Sequence, residues 1–207
     1  MSSETTIAIL GSSGRTGLPL VQQALDAGYS VRALVRDPAK LPIKHDSLQV
    51  ITGNATDTDD VNRLLTGADV VISALGPVPG HTNVCSLATA KVLANSPTRY
   101  IVVAGAAVDA PHDRKSVPNK LVSKLVRTLQ KTVVADKQAE LGLLQGSSNV
   151  QWVFIRPPRL VDGPVKPVKT NLYDCPGMSV TRESLASFCL QVVREGTYAK
   201  QCPFVAN

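Results

Sequence analysis

Short apolar runs alternate with longer mixed stretches along nearly the whole chain. The runs are rich in Val and Ile and contain few polar residues, which is typical of strands covered on both faces. They predict strands at Thr5–Leu10, Ser30–Val35, Leu48–Thr52, Val70–Ser73, Tyr100–Ala104 and Gln151–Ile155. The stretches between and after them predict helices at Arg15–Ala27, Thr58–Leu65, Asn83–Asn95, Pro118–Gly146 and Arg182–Glu195.

This regular alternation predicts one α/β domain over residues 1–207, with a parallel sheet, right-handed crossovers and helices on both faces. Asp162–Pro176 departs from the pattern, because it is rich in proline and has no clear period. Long loops in compact domains often form lids or substrate walls, so we expect a substrate-side loop there. A weak strand signal follows at Tyr198–Val205.

Composition and the amino terminus limit the classes of protein that the chain can be. Hydrophobic residues make up 43% and charged residues 18%, which is ordinary for a globular protein. No apolar run reaches the ~18 residues of a membrane span, so we expect no membrane partner. Met1–Thr5 is polar and unlike a signal peptide, and the scattered cysteines are interpreted as free thiols. These features predict a cytoplasmic protein, and we favour a monomer.

The net charge of +6 raises the question of nucleic-acid binding. Aromatic residues make up only 4% of the chain and do not alternate with the charges, so we expect no nucleic-acid partner. Most of the basic residues clustered between 114 and 137 predict a solvated helix face, and a smaller part of the excess charge attracts an anionic ligand. The clustered basic residues are Lys115, Lys120, Lys124, Arg127 and Lys131.

The most informative stretch is Thr6–Gly17, which reads TIAILGSSGRTG. Gly11, Gly14 and Gly17 fall where the first strand must turn into the first helix. Glycines allow a tight turn and a close approach to a pyrophosphate, whose charge is attracted by the first amides of a helix. The spacing is not the usual GxGxxG, so the prediction of a dinucleotide site depends on this position in the chain. The alternative is a turn that only packs the helix on the sheet.

The end of the second strand predicts which dinucleotide is bound. In such folds an acidic residue at this end holds the ribose 2′-hydroxyl, whereas an arginine accommodates a 2′-phosphate. Arg36 lies there and Lys40 follows it, so two cations favour NADP(H). Asp37 is expected to cap a short turn, and the alternative for Arg36 is a surface charge.

Two further turns follow strands at the sheet edge where such folds bind ligands. Asn54 and Ala55 follow the third strand and are candidates for contact with the adenine. Ala74, Leu75 and Gly76 follow the fourth, where small residues let the backbone approach the ribose and pyrophosphate. The alternative for both is a tight turn.

The histidines and cysteines have no metal-ligand spacing, so we predict no metal site.

Three stretches carry a family resemblance: Gly11–Gly17, Ala27–Asp37 and Arg156–Arg159. They resemble the atypical short-chain dehydrogenase/reductases in their NAD(P)H-binding, NmrA-like branch, most closely its flavin and biliverdin reductases. The resemblance covers nearly the whole chain. It implies a single-domain, Rossmann-type doubly wound sheet and an NADPH-dependent reductase of flavins or similar planar conjugated molecules.

The resemblance also implies site residues. Arg36 and Lys40 would bind the 2′-phosphate, and Ala104 would contact the cofactor at the end of the fifth strand. Four residues of the glycine turn would bind the pyrophosphate: Ser13, Gly14, Arg15 and Thr16. Three residues after the sixth strand would edge the nicotinamide and the substrate pocket: Pro157, Pro158 and Arg159.

The chain departs from its relatives at the positions that supply protons. The larger family uses a Tyr-x-x-x-Lys pair, but no tyrosine here has a lysine four residues on. Flavin reductases carry a Thr-Ser pair where this chain has Ala106 and Ala107, and a histidine where it has Arg159. A dedicated acid, worth roughly 10²–10⁴-fold, is dispensable when a ring spreads the charge and solvent supplies the proton. The missing hydroxyls therefore favour a conjugated acceptor.

Arg159 and Lys137 are the candidate catalytic residues. The guanidinium of Arg159 would stabilise developing negative charge or hold an anionic group of the substrate, and the alternative is a salt bridge within the loop. Lys137 is paired in sequence with Glu140, and in related proteins a lysine near here faces the nicotinamide. The alternative is an exposed helix pair.

Three functions remain open at this point. The leading one is NADPH-dependent hydride transfer to a flavin, a biliverdin-like tetrapyrrole or a quinone-like acceptor. The second is a non-catalytic NADP(H) sensor or regulator of the NmrA-like type, with which Ala106 and Ala107 are compatible. The third is an enzyme that acts on a specialised carbonyl or isomerisation substrate.

Overall fold

Six parallel strands form the central sheet in a computed structural model, which describes residues 5–78 and 80–207. They are β1 (Thr6–Leu10), β2 (Ser30–Val35), β3 (Leu48–Thr52), β4 (Val70–Ser73), β5 (Arg99–Val103) and β6 (Gln151–Ile155). Their order across the sheet is β3-β2-β1-β4-β5-β6, so the chain winds outward in both directions from β1. The predicted Rossmann-type doubly wound fold is therefore confirmed.

Helices cover both faces of the sheet. They are α1 (Gly17–Asp26), α2 (Thr58–Leu65), α3 (Val84–Ala94), α4 (Val117–Leu129), α5 (Lys131–Gly146) and α6 (Arg182–Glu195). Ile7 and Ile9 of β1 face α1 and α6, whereas Ala8 and Leu10 pack in the core formed with α2, α3 and α5. Both sets of β1 side chains are fully buried, which explains why the strand is apolar at every position. In the part of the chain that the structure describes, no helix is long and apolar enough to cross a bilayer.

The single helix predicted over Pro118–Gly146 is wrong, because the chain breaks at Gln130. α5 buries Leu141 and Leu144 in the core beside α3, whereas α4 buries only Ser123 and runs over the surface. The two helices therefore pack on different surfaces, and the backbone leaves the helical conformation at Gln130 between them. Neither a proline nor a glycine marks this break in the sequence.

Four short strands follow β6 in the part of the chain that the structure describes. They are β7 (Arg159–Val161), β8 (Lys169–Asn171), β9 (Ser179–Thr181) and β10 (Phe204–Ala206). β8 lies within the 162–176 segment and pairs antiparallel with β10, so this segment is more regular than predicted. The strand predicted at Tyr198–Val205 begins late, because Tyr198 and Lys200 have positive φ values and form a turn.

A buried arginine ties three separate segments of the chain together. Arg156 is fully buried and donates to both carboxylate oxygens of Asp113, at 2.7 and 2.8 Å. Its guanidinium also donates to the carbonyl oxygens of Val108 and Cys202 and lies 3.7 Å from the ring centroid of Phe204. One side chain therefore joins the end of β6, the segment after β5 and the C-terminal segment.

Lys115 belongs to the same cluster and corrects the sequence analysis. It was expected on a solvated helix face, but it is 7% exposed and precedes α4. Its ammonium donates to the carbonyl oxygen of Ala106 at 2.9 Å and to Asp109 at 2.8 Å. It is buried because it satisfies backbone carbonyls of the loop after β5, a role that sequence spacing does not reveal.

We expect replacement of Arg156 by Met to lower the free energy of unfolding by about 3 kcal/mol, because it leaves the Asp113 carboxylate poorly compensated in a buried site. Urea denaturation measures this change. The exposed Arg159→Met is the matched control and should shift the free energy by less than about 0.5 kcal/mol. Equal effects of the two substitutions would contradict the structural role of Arg156.

Candidate functional site

The glycine turn brings three backbone segments into contact at the carboxyl end of β1. Gly11 has a φ of +77°, and a Cβ there would lie 2.8 Å from the carbonyl carbon of Ala74. A Cβ at Gly17, the first residue of α1, would overlap the carbonyl oxygen of Gly11. The packing role considered in the sequence analysis is therefore present for Gly11 and Gly17. This packing does not conflict with phosphate binding, because it fixes the amino end of α1 beside the glycine turn.

The amino end of α1 offers backbone donors to an anion. Thr16 is the N-cap residue, but its side chain makes no capping hydrogen bond, and the first turn has no acidic residue. Among the described residues, the amides of Ser13, Arg15 and Thr16 have no protein acceptor, whereas Gly14 donates to Gly11. Uncapped amides at a helix start are the donor set that a pyrophosphate needs. The residues present therefore fit a dinucleotide.

Ser12 is a member of the turn that the sequence analysis did not select. It is fully buried, and its hydroxyl donates to the carbonyl oxygen of Ile9 at 2.7 Å. This bond holds the turn against the end of β1. Arg15, which was predicted to bind pyrophosphate, donates at 2.8 Å to Asp162, and both side chains are exposed. Asp162 also accepts from Arg182, and the hydrogen bond from Arg15, with the charge of both arginines, lowers the pKa of its carboxyl.

Two cations lie at the carboxyl end of β2. Arg36 and Lys40 are exposed, and among the described residues Arg36 makes no ion pair or side-chain hydrogen bond. Asp37 accepts from the amide of Ala39 at 3.1 Å and caps a short 3₁₀ turn, as predicted. Lys40 lies 4.0 Å from the Asp37 carboxylate. Because β2 pairs in parallel with β1, both cations lie on the same sheet edge as the glycine turn.

The turns after β3 and β4 differ from each other. Asn54 accepts from the amide of Thr56 and donates its own amide to Asp60, so it forms the tight turn that was the alternative reading. Ala55 is buried in the core. Ala74, by contrast, lies directly against Gly11, and Leu75 and Gly76 follow it along this edge. The structure therefore brings the β4 turn, but not the side chain of Ala55, to the glycine turn.

Strand pairing continues past the ends of β5 and β6. The amide of Ala104 donates to Ile155, and that of Ala106 donates to Pro157, each at 2.8 Å. The alanines after β5 therefore lie beside the double proline after β6. Pro157 is buried and Pro158 half-buried. Arg159 is exposed and makes no ion pair with any described residue, so the loop salt bridge considered for it is not observed.

Lys137 and Glu140 form a buried ion pair, so the alternative of an exposed helix pair is wrong. Lys137 is 5% exposed and Glu140 is fully buried. The Lys137 ammonium donates to Glu140 at 2.8 Å and to the carbonyl oxygen of Val103 at 2.9 Å. Val103 is the last residue of β5, so the pair supports the backbone immediately before Ala104.

The pair extends into a buried chain of hydroxyls that the sequence analysis missed. Glu140 accepts from Thr89 at 2.8 Å, and the Thr89 and Tyr100 hydroxyls are 2.9 Å apart. Burial raises the pKa of Tyr100, and burial raises the pKa of Cys85 to about 12. Burial lowers the pKa of Lys137, but Glu140 and the Cys85 thiol raise it, and the net direction is upward. Pairing with Glu140 therefore favours the charged form of Lys137.

A glycine turn and an uncapped helix start, at the point where a doubly wound sheet reverses its strand order, define a dinucleotide-binding protein of Rossmann type. A family model described as NAD(P)H-binding matches residues 11–196. The chain belongs to this family, and the predicted cofactor is confirmed at the level of NAD(P)H. Among the described residues, no group of three or more His, Cys, Asp or Glu side chains is placed to hold a metal ion.

Individual relatives match parts of the chain. YwnB of Bacillus subtilis is 26% identical over 163 residues, which cover 75% of this chain and 73% of that protein. The reductase pytE of Aspergillus terreus is 31% identical over 93 residues, or 36% of this chain and 35% of that protein. A chloroplast protein of Arabidopsis thaliana is 38% identical, but the match spans only 28% of its length and 36% of this chain.

Solved structures share the fold over almost the full length. A protein from Lactobacillus casei superimposes with a TM-score of 0.80 at 21% identity, covering 98% of this chain and 99% of that one. ChuY, an anaerobilin reductase from Escherichia coli, gives 0.78 at 18% identity, covering 98% and 97%. A proposed NADH-flavin reductase from Streptococcus pneumoniae gives 0.78 at 22% identity, covering 98% and 99%.

We expect Glu140→Leu to lower the free energy of unfolding by about 3 kcal/mol near neutral pH, because Lys137 becomes a buried cation without its counter-charge. Burial then pushes the folded pKa of Lys137 below its unfolded value of about 10.4. The unfolded chain binds a proton that the folded chain has released, so the lost stability returns as the pH rises toward that value.

Urea denaturation across this pH range, relative to the parent protein, tests the prediction for Glu140. The exposed Glu195→Leu serves as the control and should produce a small loss that does not depend on pH. A loss for Glu140→Leu that stays constant up to about pH 10 would contradict the charge pairing.

Proposed function

We propose that the chain is a cytoplasmic NADPH-dependent reductase that transfers hydride to a flavin, a biliverdin-like tetrapyrrole or a quinone-like conjugated acceptor. Membership of the NAD(P)H-binding family supports the cofactor class. The names of two fold neighbours, an anaerobilin reductase and a proposed NADH-flavin reductase, support a conjugated acceptor. The resemblance to flavin and biliverdin reductases in the glycine turn and the double proline points in the same direction.

Residues on the sheet edge would hold the dinucleotide in a defined direction. The free amides of Ser13, Arg15 and Thr16 would bind the pyrophosphate at the start of α1. Arg36 and Lys40 would pair with the 2′-phosphate, since charge-assisted contacts to phosphate are strong. The nicotinamide would then lie toward β5 and β6. When bound, the cofactor supplies the hydride, and the protein supplies placement and electrostatics.

The acceptor class follows chiefly from the side chains beside the ends of β5 and β6. Ala104, Ala106, Pro157 and Pro158 line this edge and carry no acidic proton. Tyr100 is fully buried, with a raised pKa, and its hydroxyl bonds Thr89. Such a site suits an acceptor that spreads the new charge over a ring and takes its proton from water. Arg159, exposed at the start of β7, would contact an anionic group of that acceptor.

The same alanines support a second candidate, a non-catalytic NADP(H)-binding regulator. Consumption of NADPH in the presence of FMN, dichlorophenolindophenol or a soluble quinone distinguishes the two. The reductase should oxidise NADPH with at least one of these acceptors. Tight binding of NADP(H) without turnover on any of them would favour the regulator instead.

We expect Arg159→Ala to lower turnover about tenfold and leave NADPH affinity unchanged, because the guanidinium would contact the acceptor rather than the dinucleotide. Steady-state rates and calorimetric titration separate the two effects. The exposed Arg194→Ala on α6, far from this sheet edge, is the control. Unchanged rates for Arg159→Ala would remove this residue from the acceptor site.

We expect Arg36→Glu to weaken NADPH binding by roughly tenfold or more and to leave NADH binding almost unchanged. The substitution replaces a cation with a group that repels the 2′-phosphate, which NADH lacks. Calorimetry with both coenzymes measures the difference. Lys44→Glu changes the net charge by the same amount and should not discriminate between NADPH and NADH. If both coenzymes lose the same affinity, the assignment of the 2′-phosphate to Arg36 is wrong.

A further inference from the structure

α4 exposes an apolar face that the fold does not cover. Five large apolar side chains on this helix are between 55% and 74% exposed: Val117, Leu121, Val122, Leu125 and Leu129. By contrast, α3 and α5 expose one large apolar residue each, Leu87 and Leu143. Four of the five residues on α4 recur at every fourth position, so they share one side of the helix. Ser123 is the only residue of α4 that is buried.

A basic stripe runs along one edge of this apolar face. Lys120, Lys124 and Arg127 recur at intervals of three or four residues on α4, Lys131 follows at the start of α5, and α4 contains no acidic residue. The three lysines are exposed, and Arg127 pairs with Asp109. A helix with one apolar face and a flanking row of cations has the pattern of helices that lie in the interface of an anionic bilayer.

We propose that α4 docks the protein on an anionic lipid surface. The apolar side chains would enter the boundary between headgroups and acyl chains, and the lysines would contact the headgroup charges. A second copy of the chain fits less well, because pairing two α4 helices would bring two rows of cations together. Docking of this kind departs from the expectation of no membrane partner, but it needs no membrane-spanning segment and is consistent with the absence of a long apolar run.

The position of α4 connects this face with the acceptor side of the candidate site. Asn119 donates to Asp174 at 2.7 Å and to the carbonyl oxygen of Cys175 at 3.0 Å. The amide of Ser116 also donates to Asp174, at 3.1 Å. These bonds hold the start of α4 on the 162–176 loop. Two further exposed apolar side chains flank the bonded residues, Tyr173 and Met178.

Co-sedimentation with vesicles tests the proposal on the full chain. The protein should bind vesicles of phosphatidylcholine mixed with phosphatidylserine, bind phosphatidylcholine alone much more weakly, and release at high salt. The double variant Leu121→Gln and Leu125→Gln should lose this binding, whereas the exposed Leu143→Gln on α5 should keep it. Unchanged circular dichroism and unchanged NADPH binding would show that both variants are folded, since all three leucines are exposed.

Matched charge variants distinguish a specific contribution of α4 to vesicle binding from a general effect of net charge. Lys120→Gln with Lys124→Gln should weaken binding at least about tenfold, on the basis of ~1 kcal/mol per cation near an anionic surface. Lys44→Gln with Arg194→Gln removes the same charge elsewhere and should have a smaller effect. Equal weakening by the two pairs would overturn a specific role of α4 and leave only general adsorption.

A fluorescent variant reports insertion directly. Trp152 is the only tryptophan and is 5% exposed, so Leu125→Trp adds an exposed probe that can be distinguished from it. Its emission should shift to the blue on vesicles that contain phosphatidylserine. Absence of binding and of this shift would overturn the proposal. A dimer in light scattering that is lost in the Leu121 and Leu125 variant, without vesicle binding, would instead assign the face to a second copy.

Discussion

The close backbone contact at the carboxyl end of β1 is the constraint on which the candidate site depends. Gly11 lies against Ala74, and Gly17 lies against the carbonyl of Gly11, so neither position leaves room for a side chain. β1 is the strand from which the sheet order reverses, and a crevice opens at such a point between the segments that follow the two central strands. The same contact that packs α1 on the sheet therefore directs its free amides toward that crevice.

Buried charges organise the acceptor side in a different way. Lys137 donates to the carbonyl oxygen of Val103, and Arg156 donates to those of Val108 and Cys202. The carbonyls of Val103 and Val108 lie at or beyond the end of β5, and that of Cys202 lies just before β10, so the side chains supply donors where no strand ladder does. Each cation is compensated by a carboxylate, Glu140 or Asp113, as a buried charge requires. The glycine turn depends on backbone packing, whereas the segments after β5 and β6 depend on ion pairs.

This contrast explains how much the sequence could predict. β2, β3, β4 and β6 have the predicted bounds. β4 and β6 are buried on both faces and therefore form nearly continuous apolar runs bounded by polar turns, whereas β3 lies at the sheet edge and is mostly exposed. The glycine turn was recognisable because its residues are close together in sequence. Arg156 and Asp113 are paired across a long stretch of chain, so local patterns gave no signal.

For Lys137 and Glu140 the sequence did contain a signal, but an ambiguous one. The spacing of three residues fits an exposed pair equally well, and only the packing of α5 against α3 decides between exposed and buried. A clue was available in the neighbouring pattern: Leu141 and Leu144 lie on the same side of the helix as Glu140. Apolar residues beside a charged pair indicate that the pair faces a core.

The alanines beside the double proline relate the proposed acceptor class to the exposed apolar face of α4. The proposed site, which has no side-chain acid among the described residues beside the double proline, would favour acceptors whose charge is delocalised over a large ring, and such rings carry substantial apolar surface. α4 presents an apolar face to the outside, and its first turn is bonded to the loop on the acceptor side. An enzyme that relies on placement rather than proton donation gains most from concentrating its acceptor near the site. A lipid surface that holds both the protein and an apolar acceptor would provide that concentration.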